Sequence, residues 1–256
     1  MAGNPLLPQP SREDWERIAP LLAEMNLRLS RRKFYELYPD EDTEQANGGI
    51  IHARSKYPKH LEFFEAGATY RERCAMAANR TGKTMGMGGY ETTVHLTGLY
   101  PDWWPGRRFP SPVEWWAAGK TNETTRDIVQ ACLLGNIAFQ GTRKVVTGTG
   151  LIPGALLGDP GWKQGVPDLV DTIMVKHLTG GWSKLGMKSY QQGRGSFEGT
   201  AKHGIWLDEE PPKEIYGECL IRTATVNGII MLTFTPLEGM SEVVLQFMPA
   251  EQRPGA

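Results

Sequence analysis

A mostly parallel central sheet flanked by helices, an α/β fold, is what this 256-residue sequence predicts, and three observations predict it. Short apolar runs of strand length alternate with stretches of helical period, as a sheet covered on both faces requires. The string Ala77-Ala78-Asn79-Arg80-Thr81-Gly82-Lys83-Thr84 lies between one such run and one such helix. A later run, Gly204-Ile205-Trp206-Leu207, ends in three acids, Asp208-Glu209-Glu210. Polar motifs at the C-terminal ends of strands mark the ligand-binding edge of an open α/β sheet.

In chain order, residues 1–10 are Pro-rich and read as a mobile lead. Ser11-Arg12-Glu13-Asp14 has the form of a capping box. Trp15, Ile18, Leu22 and Met25 follow at helical spacing, which predicts a helix over 12–27. Ser30–Tyr38 reads as a second, more basic helix, residues 39–49 as a polar loop, and Tyr57–Ala66 as a short helix carrying Phe63 and Phe64. The core pattern follows with a strand at Arg73–Ala78 and a helix at Gly82–Thr97. Next come an aromatic, Pro-rich excursion at Leu99–Pro112, a strand at Val113–Ala118, and a helix at Thr121–Leu134 capped by Thr121 or Asn122. Residues 135–168 are Gly-rich and read as irregular. Asp171–Leu178 and Ser183–Tyr190 would pair as a hairpin across Thr179-Gly180-Gly181. The strand Gly204–Leu207, a helix within Pro212–Thr225, the strand Gly228–Phe234 and a helix at Met240–Phe247 close the pattern. The division is an N-terminal helical segment over 1–56, a core over 57–250 and a tail over 251–256.

Composition narrows the class. Hydrophobic residues make up 40%, enough for an ordinary core, and 28 basic residues nearly cancel 29 acidic ones. Such balance does not advertise a nucleic-acid binder, and a local basic face would still serve one. The 3 cysteines, Cys74, Cys132 and Cys219, have no metal-cluster spacing and read as small buried hydrophobes of a reducing compartment. No apolar run reaches the roughly 18 residues of a membrane span. The N-terminus lacks the zones of a signal peptide, so a soluble intracellular protein is expected.

The chemistry of the two motifs is complementary. In a phosphate loop, backbone N–H groups and the helix N-terminus face the phosphates. Ala78, Asn79, Arg80, Thr81 and Gly82 would form that cradle, Gly82 permitting close approach. Lys83 would reach the β- and γ-phosphates of ATP, and Thr84 would give its hydroxyl to Mg²⁺. Asp208 would be the second Mg²⁺ group, and Glu209 the base that polarises the attacking water. Arg80 could contact the γ-phosphate. Thr233-Phe234-Thr235-Pro236 ends the next strand, where small hydroxyls can sense that phosphate. Arg194 and Arg222 are candidates for the arginine that stabilises transition-state charge, on their own site or a neighbour's.

Taken together, these strings resemble the ATPase domain of large terminase subunits, the DNA-packaging motors of tailed bacteriophages. The resemblance runs from Tyr57 to Phe247. It rests on the phosphate loop with Arg80 inside it, on Trp206-Leu207-Asp208-Glu209-Glu210-Pro211-Pro212 and on Leu232-Thr233-Phe234-Thr235-Pro236, with support from His95–Pro101 and Val175-Lys176-His177. It implies a P-loop fold of the additional-strand, RecA-like kind with a small N-terminal subdomain, and ATP hydrolysis with Mg²⁺ driving double-stranded DNA into a procapsid. It implies a homo-oligomeric ring at the portal, the small terminase subunit as partner, and a location in the host cytoplasm away from membranes. By the same resemblance Thr233 and Thr235 belong to a coupling motif, and Arg194 is the candidate trans-acting arginine. Tyr57 and His60 fall on the adenine-recognition segment. An RNase H-like nuclease domain usually follows in such subunits; its carboxylates are not among these residues, so DNA cutting is not expected from them. A helicase or recombinase core and a non-catalytic nucleotide-binding scaffold are the competing readings; Glu209 argues against the scaffold.

Overall fold

The computed structural model describes residues 11–45, 47–237, 239–249 and 251. The Pro-rich lead over 1–10 and all but Glu251 of the tail lie outside them.

Seven strands form one sheet: β1 (Glu72–Met76), β2 (Glu114–Gly119), β3 (Gly161–Trp162), β4 (Val170–Lys176), β5 (Trp182–Ser189), β6 (Gly204–Asp208) and β7 (Ile229–Phe234). Their spatial order is β1-β7-β6-β2-β5-β4-β3. The first five in that order run parallel, whereas β4 and β3 are antiparallel to their neighbours. The loop-bearing strand β1 and the acid-bearing strand β6 are therefore not adjacent, because β7 is inserted between them. That is the additional-strand arrangement, and it comes directly from the pairing.

Side chains alternate between the two faces with the strand period of two. Trp115, Trp206 and Met231 join one buried cluster with Phe64, Val94 and Leu133. Their neighbours Trp116, Ile205 and Leu232 join another with Tyr216 and Cys219. The helices cover these faces: α1 (Arg12–Glu36), α2 (Pro58–Ala66), α3 (π-wound over Lys83–Gly89, α-helical over Tyr90–Thr97), α4 (Asn122–Thr124, π-wound over Thr125–Gln130, then Ala131–Leu134), α5 (Lys213–Ala224) and α6 (Glu242–Phe247). Arg73 of β1 clamps Glu91 of α3 through bonds of 2.6 and 3.0 Å, with His95 3.1 Å away, fastening α3 to the strand that precedes it.

The structure corrects several expected boundaries. The two N-terminal helices are one, α1, because no glycine or proline separates them; its start has the predicted reciprocal cap between Ser11 and Asp14. Its apolar stripe of Trp15, Ile18, Leu22 and Met25 faces solvent. Its far end enters the core: Phe34 stacks on Tyr90 at 4.9 Å, and Tyr38 just beyond α1 is buried. The polar loop contributes a two-residue ladder between Thr43–Glu44 and Ile50–Ile51. The supposedly irregular 135–168 stretch contains a hairpin, Ile137–Gln140 with Arg143–Val146, turned by Gly141 at φ 61°. Thr121, not Asn122, caps α4.

Candidate active site

β1 delivers the chain into the phosphate loop, which turns through left-handed backbone at Arg80 (φ 64°) and Gly82 (φ 82°) before α3 begins at Lys83. Gly82 has a second reason to be glycine: a Cβ there would stand 3.0 Å from Cε1 of His60. The Lys83 ammonium folds back on the loop. It donates to the carbonyls of Ala77 (2.8 Å) and Ala78 (2.6 Å) and to the hydroxyl of Thr235 (3.1 Å), using its three protons. Burial lowers its pKa, and Asp208 opposes that shift.

Asp208 ends β6 almost wholly buried, at 4% exposure. Its Oδ1 accepts from Thr84 Oγ1 at 3.0 Å and from Thr233 Oγ1 at 2.7 Å. The Thr233 hydroxyl accepts in turn from Trp206 Nε1 at 2.7 Å. Burial pushes the Asp208 carboxyl up to about 6; the hydroxyls of Thr233 and Thr84 pull against it, as does Lys83, while Glu209 adds to it. Glu209 follows in a left-handed turn (φ 67°) fixed by its own N–H on Thr233 O at 3.0 Å. The Tyr190 hydroxyl lies 2.9 Å from the Asp208 carbonyl and 3.0 Å from that of Glu209, bracing the turn from behind.

These groups line one cleft of about 420 Å³, within the range of small-ligand sites. The loop from Asn79 to Thr84 meets Asp208, Glu209, Thr233 and Thr235 there, and Ala78 contributes the carbonyl that holds Lys83. Inserted strand β7 and the residue just past it touch both halves: Thr233 bonds Asp208, while Thr235 bonds the loop through Ala77 O or Asn79 Oδ1, each at 2.8 Å.

Other expected residues stand elsewhere. His60 lies beneath the loop with both ring nitrogens engaged, Nε2 at 3.0 Å from Thr81 O and Nδ1 at 2.7 Å from the Tyr38 hydroxyl. Burial lowers its pKa, against the Thr81 carbonyl, so the ring braces the loop as a neutral group. Tyr57 stacks on that ring at 5.3 Å. Arg194 and Arg222 converge on one buried carboxylate, Glu218, each at 3.1 Å on the α5 side, outside the cleft lining. Asp168 and Asp171 pair with Lys144 and Lys163 on the surface. The sequence reading missed Lys120, just past β2, which lines the cleft with Met85, Ile128 and Leu237, and Tyr190, which braces the Asp208–Glu209 turn. The strand-end rule that found Asp208 would also have found Lys120, the first polar residue after the apolar run of β2.

The inserted strand, the phosphate loop and the paired acids define a P-loop nucleoside triphosphatase of the additional-strand class. Comparison with known proteins narrows this. The family model described as "Terminase large subunit, T4likevirus-type, N-terminal" matches residues 74–254. The chain is 40% identical over 228 residues to the terminase large subunit of Salmonella phage P22, a match covering 82% of this chain and 44% of that protein. The chain belongs to the terminase large subunit family, and it spans less than half the length of that relative. Among solved structures it is similar to the large terminase of a thermophilic bacteriophage, at 13% identity and TM-score 0.43, over 70% of this chain and 38% of that one. The ADP complex of the same protein matches over the same shares at 12% identity and TM-score 0.42. The Thermus phage P74-26 large terminase ATPase domain matches at 14% identity and TM-score 0.38, over 71% of this chain and 69% of that one.

Proposed function

We propose that this chain is the ATP-hydrolysing part of a DNA-packaging motor. The observation that carries the reading is the contact of Thr84 with Asp208, at 3.0 Å, beside a Glu209 held in a fixed turn on the same cleft. A hydroxyl next to a carboxylate is the hard-oxygen pair that Mg²⁺ takes. When bound, that ion neutralises phosphate charge. Ala78, Asn79, Arg80, Thr81 and Gly82 cradle the phosphates, and Lys83 exchanges its loop carbonyls for the β- and γ-oxygens. Glu209 accepts the proton of the attacking water. Thr233 and Thr235 link the occupied site to β7, and so to the rest of the sheet. Double-stranded DNA is the transported substrate. The portal of a procapsid, the small terminase subunit and further copies of this chain in a ring are the partners, assembled in the host cytoplasm.

Two variants test the catalytic assignment. Lys83→Ala is expected to lose nucleotide binding, read by fluorescent ATP titration. Glu209→Gln is expected to bind ATP with parental affinity while turnover falls by about 10²–10⁴-fold. Unchanged turnover in either variant refutes the corresponding role. Portal- and procapsid-dependent DNA uptake by the whole subunit tests the transport half of the reading.

A further inference from the structure

The second helical layer stops part-way across the sheet. On its face, β7, β6 and β2 are covered as far as Trp116, which packs in the cluster of Tyr216, Phe197 and Ile205. Beyond Trp116 the same face continues onto β5 and β4. Gly186 pairs with Trp116 and with Thr172, so their neighbours two and four residues away share that face: Lys184 opposite Met174, Trp182 opposite Lys176, and Lys188 opposite Ala118. Lys176, Lys184, Met174 and Trp182 are exposed, and Lys188 is half-buried.

This stretch is cationic at its centre. The ammonium groups of Lys188 and Lys202 both stand over the Trp116 ring, at 5.2 and 5.0 Å. The two acids on hand are already engaged, Glu114 by Lys202 at 2.9 Å and Asp171 by Lys163 at 3.3 Å. Lys176, Lys184 and Lys188 have no carboxylate within 4.0 Å among the described residues. Burial holds the Lys188 ammonium below its ordinary range, and Lys163, Lys202 and Lys184 add to the effect while Asp171 opposes it.

We propose that this uncovered half-face, centred on Lys176, Lys184 and Lys188, is a docking surface for the phosphate backbone of duplex DNA. The inference rests on the DNA-motor reading above. Charge selects the occupant. A protein partner would want an apolar centre, because lysine is depleted at the cores of protein interfaces. Duplex DNA presents a charge about every 1.7 Å of its axis and asks only for ammonium groups on an open surface. Lys184 and Lys188 lie four residues apart along one strand, about 13 Å at the ordinary rise, enough to bracket several phosphates. The contacts would be to backbone alone, giving position and hold without sequence reading.

The test is fluorescence anisotropy of a labelled 30-bp duplex with this chain across salt concentrations. The triple substitution Lys176→Gln, Lys184→Gln, Lys188→Gln is expected to lower the slope of log affinity on log salt by about 2–3, at 0.9 per lost phosphate contact. Fluorescent ATP affinity should stay at the parental value, and the matching triple Lys→Arg variant should retain DNA binding. A control pair, Lys56→Gln and Lys59→Gln on the N-terminal side, should leave the slope unchanged. If the Gln triple does not fold, single Lys184→Gln and Lys184→Glu variants carry the same test, with graded loss expected. A parental slope in the Gln variants, or an equal drop in the control pair, overturns the docking surface while leaving the motor reading intact. A parental chain that binds no duplex at low salt overturns both.

Discussion

The carboxyl group of Asp208 is placed where its charge is costly. With its pKa at about 6 instead of the ordinary 3.8, the folded chain binds a proton between those values that the unfolded chain does not. Stability without metal therefore falls as pH rises through that window, and the full cost persists above it. Asp208→Asn removes the charge while keeping an oxygen that accepts from Thr84 and Thr233. It should raise stability at pH 7.5 without Mg²⁺ by up to about 3 kcal/mol, at 1.36 kcal/mol per unit, and abolish Mg²⁺-dependent turnover. Calorimetry without metal checks the first part; a melting point below the parent's would sink it. Thr84, Asp208 and Glu209 were legible because their motifs are local strings whose chemistry needs those residue types. The post of His60 was not: it depends on Tyr38, 22 residues upstream, reaching its Nδ1. Nor could the pairing of Arg194 and Arg222 on one Glu218 be read before α5 met the preceding turn.

Among the elements, α3 shows how a helix is seated against a strand. A Cβ on Gly88 would lie 2.1 Å from Trp206 Nε1, the atom that donates to Thr233. Gly88→Ala must move that indole, at a cost of about 1–3 kcal/mol, and slacken the bond holding Asp208. Gly217, in α5, is the counter-case, because nothing stands within 4 Å of its added Cβ. There Gly217→Ala should stabilise by about 0.5–1 kcal/mol from helix propensity alone. Thermal melts of the two should shift in opposite directions; a parental melting point for Gly88→Ala would contradict the seating argument. Strand and helix identities in the core were readable, since period and breaker residues signal them. The joined α1 and the 137–146 hairpin were not. A short polar stretch between two periodic segments does not break a helix by itself, and a two-residue turn at Gly141-Thr142 is easily lost in a Gly-rich surround.

At the scale of the whole molecule, the sheet order separates β1 from β6 by one strand, and that strand with the residue just past it bonds both halves of the cleft. Period and composition predict a mostly parallel sheet. The insertion of β7 cannot be read from them, because strand order is set by long-range packing; only the resemblance pointed to it. The proposed ring assembly would make one further demand on this molecule. Arg194 stands outside its own cleft at 54% side-chain exposure, so a role in hydrolysis requires a neighbour's site. Arg194→Ala subunits alone, and Glu209→Gln subunits alone, should both be poor ATPases. Their mixture should recover activity, because the second supplies an arginine to the intact site of the first. A mixture no faster than its parts removes Arg194 from that role.

The posture of Lys83 has a consequence for selectivity. Its three protons already rest on Ala77, Ala78 and Thr235, so an incoming anion must outbid two carbonyls and a hydroxyl as well as displace water. On the proposed reading, a sulfate or monophosphate would offer less in exchange than a triphosphate that also engages Thr84 and a cation beside Asp208. The loop would then favour ligands long enough to release the lysine and reach the Thr84–Asp208 pair together.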